Sequence, residues 1–171
     1  MKGKITVCLF LIGLVLTFST GISCAQDDIN THKSCKYCGM DRAMFAHSRL
    51  LVTYNDGTIT ALCSLHCTAV DLALCLDKMP KSIEVADCIS RKLIDAEKAF
   101  WVIGGNKPGV MTKRAKWAFE SKPDAEAFVK ENGGELATFE VAIKGSYDDM
   151  YPDTKMIREK RIMKKMQHTH M

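Results

Sequence analysis

The 171-residue chain has no strong charge of either sign. Its formal net charge is +4, and Lys2 and Lys4 sit in a segment that reads as a leader. Without those two lysines the charge falls to +2, and the remaining charges are interspersed, which excludes an electrostatic nucleic-acid binder. The chain has no Gly-x-Ser-x-Gly, no phosphate loop and no His-Glu-x-x-His. Cys63, His66 and Cys67 could suggest a thiol nucleophile, but no oriented third group accompanies them. These absences argue against an enzyme. A long hydrophobic run is missing too. Ile5 to Phe18 is apolar except at Thr6, Gly13 and Thr17, which is short of the roughly 20 residues a spanning helix needs.

That apolar run follows a basic start and precedes small residues, so residues 1–24 read as an export signal. Two cleavage chemistries fit. Ser23-Cys24-Ala25 suits release of a soluble protein after Ala25. Gly21-Ile22-Ser23-Cys24 suits a lipobox, imperfect because Gly21 stands where Leu is usual. The lipobox is the preferred reading: Cys24 becomes lipidated and the protein is periplasmic, anchored to the membrane through that lipid. A soluble periplasmic protein is the alternative.

Cysteine is plentiful, with eight residues. Exported proteins usually oxidise their thiols, yet these cysteines cluster instead of spreading to close loops. Cys35-Lys36-Tyr37-Cys38-Gly39-Met40 and Met44 place two thiols and two thioethers within ten residues. Copper(I), a soft ion, prefers such sulfur, and Gly39 allows the tight turn that brings both thiols to one side. A Cys35–Cys38 disulfide with core methionines is the bland alternative. Half of a four-cysteine zinc site is another, with Cys63 and Cys67 as the other half. Cys63 and Cys67 stand four apart at a helix start, where thiols are acidified and bind metal or oxidise. Cys75 and Cys88 read as core residues or one bridge. Met111 follows a glycine-rich turn; pattern alone favours a gap-filling role.

The periodicity predicts an α+β fold of two ββαβ repeats packed as one unit, sheet against sheet or in one continuous sheet. Residues 25–34 read as a polar tether, 35–95 as the first unit and 96–144 as the second. In the first, strands at 49–54 and 59–63 flank the Asn55-Asp56-Gly57-Thr58 turn. A helix capped by Ser64 runs to Asp77, and a strand covers 82–88. In the second, strands at 99–103 and 116–119 precede a helix opened by Ser121 and Pro123. A strand at 136–141 closes it. Residues 145–171 are rich in Lys, Met and His and read as a mobile helix or disordered tail. Met150, Met156, Met163, Met166, His168, His170 and Met171 resemble a weak metal-capture sequence there.

The chain resembles the NosL-type copper-binding accessory lipoproteins. Cys35-Lys36-Tyr37-Cys38-Gly39-Met40 carries the likeness. It continues through Trp117-Ala118-Phe119, Asp124-Ala125-Glu126-Ala127-Phe128, Gly133-Gly134 and Phe139, over roughly residues 35–143. The resemblance implies a fold related to the core of organomercurial lyase, and a copper(I) chaperone acting with the assembly machinery of nitrous oxide reductase. It implies sulfur ligands that include a methionine of the second unit, which here is Met111. The Cys63/Cys67 pair departs from that pattern. The expected metal residues are therefore Cys35, Cys38, Met40, Met44, Cys63, Cys67 and Met111, with a thiol–disulfide protein as the alternative function.

Overall fold

The computed structural model describes residues 27–169. The expected export signal and the expected lipidation site Cys24, with His170 and Met171, lie outside the described residues, as does the His168 side chain.

Two antiparallel sheets form the fold. In the first unit, β1 (Leu50–Tyr54) and β2 (Ile59–Leu62) make a hairpin, α2 (Leu65–Leu74) follows, and β3 (Pro80–Ala86) and β4 (Leu93–Asp95) complete a sheet of order β2-β1-β3-β4. The short helix α1 (Asp27–Thr31) precedes it. Gly57 turns the hairpin at φ 82°, and the Asp56 carboxylate accepts the Thr58 N–H at 2.8 Å. On β1, Leu50, Val52 and Tyr54 are buried at every second position, the period of a pleated strand.

The second unit repeats the plan. It has β5 (Phe100–Ile103), β6 (Lys116–Phe119), α3 (Lys122–Asn132) and β7 (Glu135–Ala137), with sheet order β6-β5-β7. In both sheets the first strand is central and pairs with the second and third. The two ββαβ units of the sequence are thus present as two separate sheets.

One core joins them. Leu50, Val52, Tyr54, Leu62 and Val85 from the first unit meet Trp101, Ala118, Phe139 and Ala142 from the second. A second core gathers Val102, Trp117, Phe119, Ala125 and Phe128 under α3. The alternation on β5 and β6 sorts the residues: Trp101 and Ala118 face the shared core, while Val102, Trp117 and Phe119 face α3. A backbone bond from Cys88 N–H to the Ala118 carbonyl, 2.8 Å, stitches the units together.

Three expectations change and a fourth narrows. The strand expected at 136–141 ends at Ala137, and α4 (Phe139–Asp148) begins instead. Thr138 caps that helix by accepting the Val141 N–H, and Phe139, Ala142, Gly145 and Ser146 are buried on its inner face. A short apolar run fits either period; the cap and length decide for the helix. α2 ends at Leu74, so Leu76 lies outside it and is exposed. The stretch expected as a tether contains α1, with Ile29 buried and Asp28 pairing the fully buried Arg42 and Arg49 at 2.7 and 2.9 Å. Two buried guanidiniums need a carboxylate, and α1 supplies it. Of the two forms expected for the tail, the structure has the helix: α5 (Met150–Thr169).

Candidate metal centre

The Cys35–Met40 segment closes on itself. Cys35 N–H donates to the Met40 carbonyl at 2.9 Å, and Gly39 N–H to the Cys35 carbonyl at 3.0 Å. Gly39 sits at φ 72°, which L side chains avoid. Lys36 N–H then donates to the Ala61 carbonyl at 3.1 Å, laying the turn against β2. Cys63 follows β2 directly and Cys67 stands one helical turn on, in α2. This docking brings the four sulfurs together. Cys38 Sγ and Cys63 Sγ are 3.4 Å apart, Cys63 Sγ and Cys67 Sγ 3.8 Å, and all four lie within 4.8 Å of one another. Cys35, Cys63 and Cys67 are buried, Cys38 is half-buried, and all four are free thiols.

Their protons are shared unequally. The Cys35 thiol is pushed far down because Cys38, Cys63 and Cys67 all donate to it. Cys38 lies at about 7: its bond to Cys35 pulls it up, and its bonds with Cys63 and Cys67 pull it down further. Cys63 and Cys67 are pushed up, first by hydrogen bonding toward Cys35 and then by burial. The helix-start acidification expected at Cys63 and Cys67 is outweighed by a neighbouring thiolate. Ser64 does not cap α2 through its side chain; its hydroxyl accepts from Cys63 Sγ at 3.8 Å.

Asp71, on α2, was not singled out from the sequence. It accepts from Tyr37 Oη at 2.6 Å, Tyr54 Oη at 2.5 Å and Lys36 Nζ at 3.1 Å. It therefore ties the Lys36-Tyr37 half of the turn to α2 and β1. The available signal was position: Asp71 follows Cys67 by four, on the same helix face. Burial opposes its ionisation, yet the bonds from Tyr37, Tyr54 and Lys36 hold its carboxyl below the usual range.

The methionines separate. Met111, at φ 63°, is half-buried and lines a cavity of about 200 Å³ with Tyr37, Cys38, His66, Cys67 and Val70. Thr154, Ile157, Arg158 and Arg161 of α5 form its other wall, and Arg161 donates to the Cys38 carbonyl at 3.0 Å. Met40 packs partly buried against the shared core. Met44 is 71% exposed and does not line the cavity that Met111 shares with Cys38. His66 Nδ1 lies 3.7 Å from the Asp153 carboxylate, both buried; burial first pushes the imidazole down, and Asp153 opposes this. Cys75 packs against the shared core and Cys88 against the one under α3; both are free thiols, with no bridge between them.

The NosL family model matches residues 26–145. The chain belongs to the NosL family. Its fold is similar to the crystal structure of the copper chaperone NosL from Shewanella denitrificans, with a TM-score of 0.53 and 24% identity over 66% of this chain and 90% of that one. No curated protein matches it. The matched span of this NosL-family chain holds all four clustered cysteines and Met111, whereas α5 lies beyond it. Among the described residues no helix is long and apolar enough to cross a membrane.

Proposed function

We propose that this NosL-family protein is an exported copper(I) carrier that passes its cargo to a periplasmic cuproprotein, such as the copper centres of nitrous oxide reductase. The observation that carries the reading is the convergence of four thiols, three buried and one of them, Cys38, half-buried. Soft thiolate sulfur suits copper(I). Cys35, Cys63 and Cys67 would hold the ion from inside. Cys38 and Cys67 both border the cavity that Met111 lines, and Cys38 is the less buried of the two, so it is the ligand an incoming client sulfur or nitrogen would displace. Met111 would supply a thioether that needs no deprotonation. A lipid on Cys24 would keep the carrier at the membrane, near the client's assembly machinery.

Anaerobic copper(I) titration against a competing chelator, read by mass spectrometry, tests this. Bound copper with the cluster thiols protected supports it; reduced protein that fails to compete for copper would falsify it. One contact favours the thiol–disulfide alternative: Cys38 Sγ lies 3.4 Å from Cys63 Sγ, closer than the 3.8 Å between Cys63 and Cys67. In that reading the two thiols would become one disulfide as a substrate disulfide is reduced to two thiols. Turnover with a disulfide substrate in the absence of copper would put it ahead.

A further inference from the structure

Four thiols are more than a copper(I) carrier needs, since that ion is satisfied by two or three sulfurs. We infer that Cys35, Cys38, Cys63 and Cys67 form a closed four-thiolate cage for a single divalent thiophilic ion of the zinc class. This rests on the sulfur cluster and not on the copper reading.

Three observations carry it. The first is size. Zinc–sulfur bonds of about 2.3 Å place the sulfurs of a tetrahedral site about 3.8 Å apart. Two of the sulfur separations are 3.4 and 3.8 Å, and every pair lies inside 4.8 Å. Little movement is needed to close around one ion. The second is spacing. Cys35-x-x-Cys38 and Cys63-x-x-x-Cys67 are two short chelating pairs from separate segments, the layout of structural zinc sites. The third is charge. Engaging all four sulfurs as thiolates in a largely buried site would leave three negative charges around a monovalent ion and two around a divalent one, so a site that uses all four suits the divalent ion. Burying the smaller net charge costs less. Two cations, Arg158 and Arg161, line the adjoining cavity, and the bonds that shape the turn and join it to β2 run through backbone amides.

Two classes of cargo on one cage have different consequences. A divalent ion would occupy all four sulfurs and leave no position for an incoming ligand, so it would be held. Copper(I) would leave at least one sulfur free and remain transferable.

Cobalt(II), the spectroscopic stand-in for zinc, tests the cage in the full reduced chain. The expected result is one cobalt per chain, with intense thiolate charge-transfer bands and tetrahedral ligand-field bands. Four fewer thiols then react with an alkylating agent, and equimolar zinc bleaches the spectrum. Cys67→Ser should weaken cobalt binding at least about tenfold, with folding followed by circular dichroism. Met111→Leu should leave the cobalt spectrum unchanged. Weak octahedral bands, fewer than four protected thiols, or a spectrum that shifts in Met111→Leu would overturn the cage. Parallel copper(I) titration separates the two ideas. Copper bound without cobalt sinks the cage and spares the carrier; cobalt or zinc that copper(I) cannot displace does the reverse.

Discussion

The two ββαβ units share a topology and differ in what they do with it. Each has a central first strand, a second strand that leads into a helix, and a third strand on the other side. The difference lies at the strand-to-helix junction. In the second unit the junction is Glu120-Ser121, and Ser121 accepts the Asp124 N–H as an ordinary cap. In the first it is Cys63-Ser64, and the serine leaves the helix uncapped and turns to the Cys63 sulfur. Chemistry is thus loaded on one copy of the plan, at the cost of a helix cap. The other copy keeps its cap, builds a second core, and lends the site only a loop methionine, Met111.

That contrast can be broken in four ways. The largest effect falls on stability in the first unit. Asp28→Ala removes the carboxylate that the two buried guanidiniums of Arg42 and Arg49 share, so the protein should lose about 3–5 kcal/mol in denaturant unfolding. Burial opposes ionisation of Asp28, but the bonds from Arg49 and Arg42 outweigh it and hold its carboxyl below the usual value. The sign of the pH effect follows. This stabilisation is complete above the ordinary carboxylate value near pH 4 and is lost as pH falls through the lowered folded value. Asp28→Ala should flatten that acid limb, and an unchanged limb would show that the clamp is not ionic.

Next comes the metal. Cys63→Ser should weaken copper(I) binding more than about 100-fold, beyond the effect usual for supporting residues, while Cys88→Ser in the second core changes it little. Equal losses in a chelator competition would erase the distinction between the units. A smaller change is expected at Asp71. Its replacement by alanine removes the partner of the Tyr37 hydroxyl and the ion pair of Lys36, so copper affinity should fall about tenfold although no ligand is lost. Unaltered affinity would mean that the turn is held without Asp71, by the backbone bond from Lys36 to Ala61 and the Arg161 contact with the Cys38 carbonyl. The smallest effect concerns the caps themselves. Ser121→Ala should cost about 1 kcal/mol and Ser64→Ala only a few tenths, measured by thermal unfolding. A larger loss at Ser64 would reverse the comparison.

Legibility in the sequence followed the range of each interaction. The Asn55–Thr58 hairpin, the α3 cap at Ser121 and the Cys35–Cys38 turn are local and were readable. The start of α4 was misread because a run of three or four apolar residues does not distinguish the two periods. The role of Asp28 was invisible, since its partners lie 14 and 21 residues away and nothing in a polar stretch marks it as a counter-ion. Asp71 was hidden for the same reason: Tyr37 reaches it across 34 residues. Met44, close to the motif in sequence, is exposed, whereas Met111, remote in sequence, lines the cavity beside Cys38.

By itself the sequence determined the chemistry on offer: soft sulfur in two short cysteine pairs, on a chain with the pattern of two ββαβ units. It also determined the turn at Gly39, because positive φ is a local property. Only the tertiary structure decided that the two pairs make one site. Their distance depends on the Lys36–Ala61 bond and the Asp71 network, which exist only once β2, α2 and the turn have packed together. The physical reason is loop closure. Joining Cys38 to Cys63 brings together residues 25 apart, and the interactions that offset that entropy come from the fold and not from the motif.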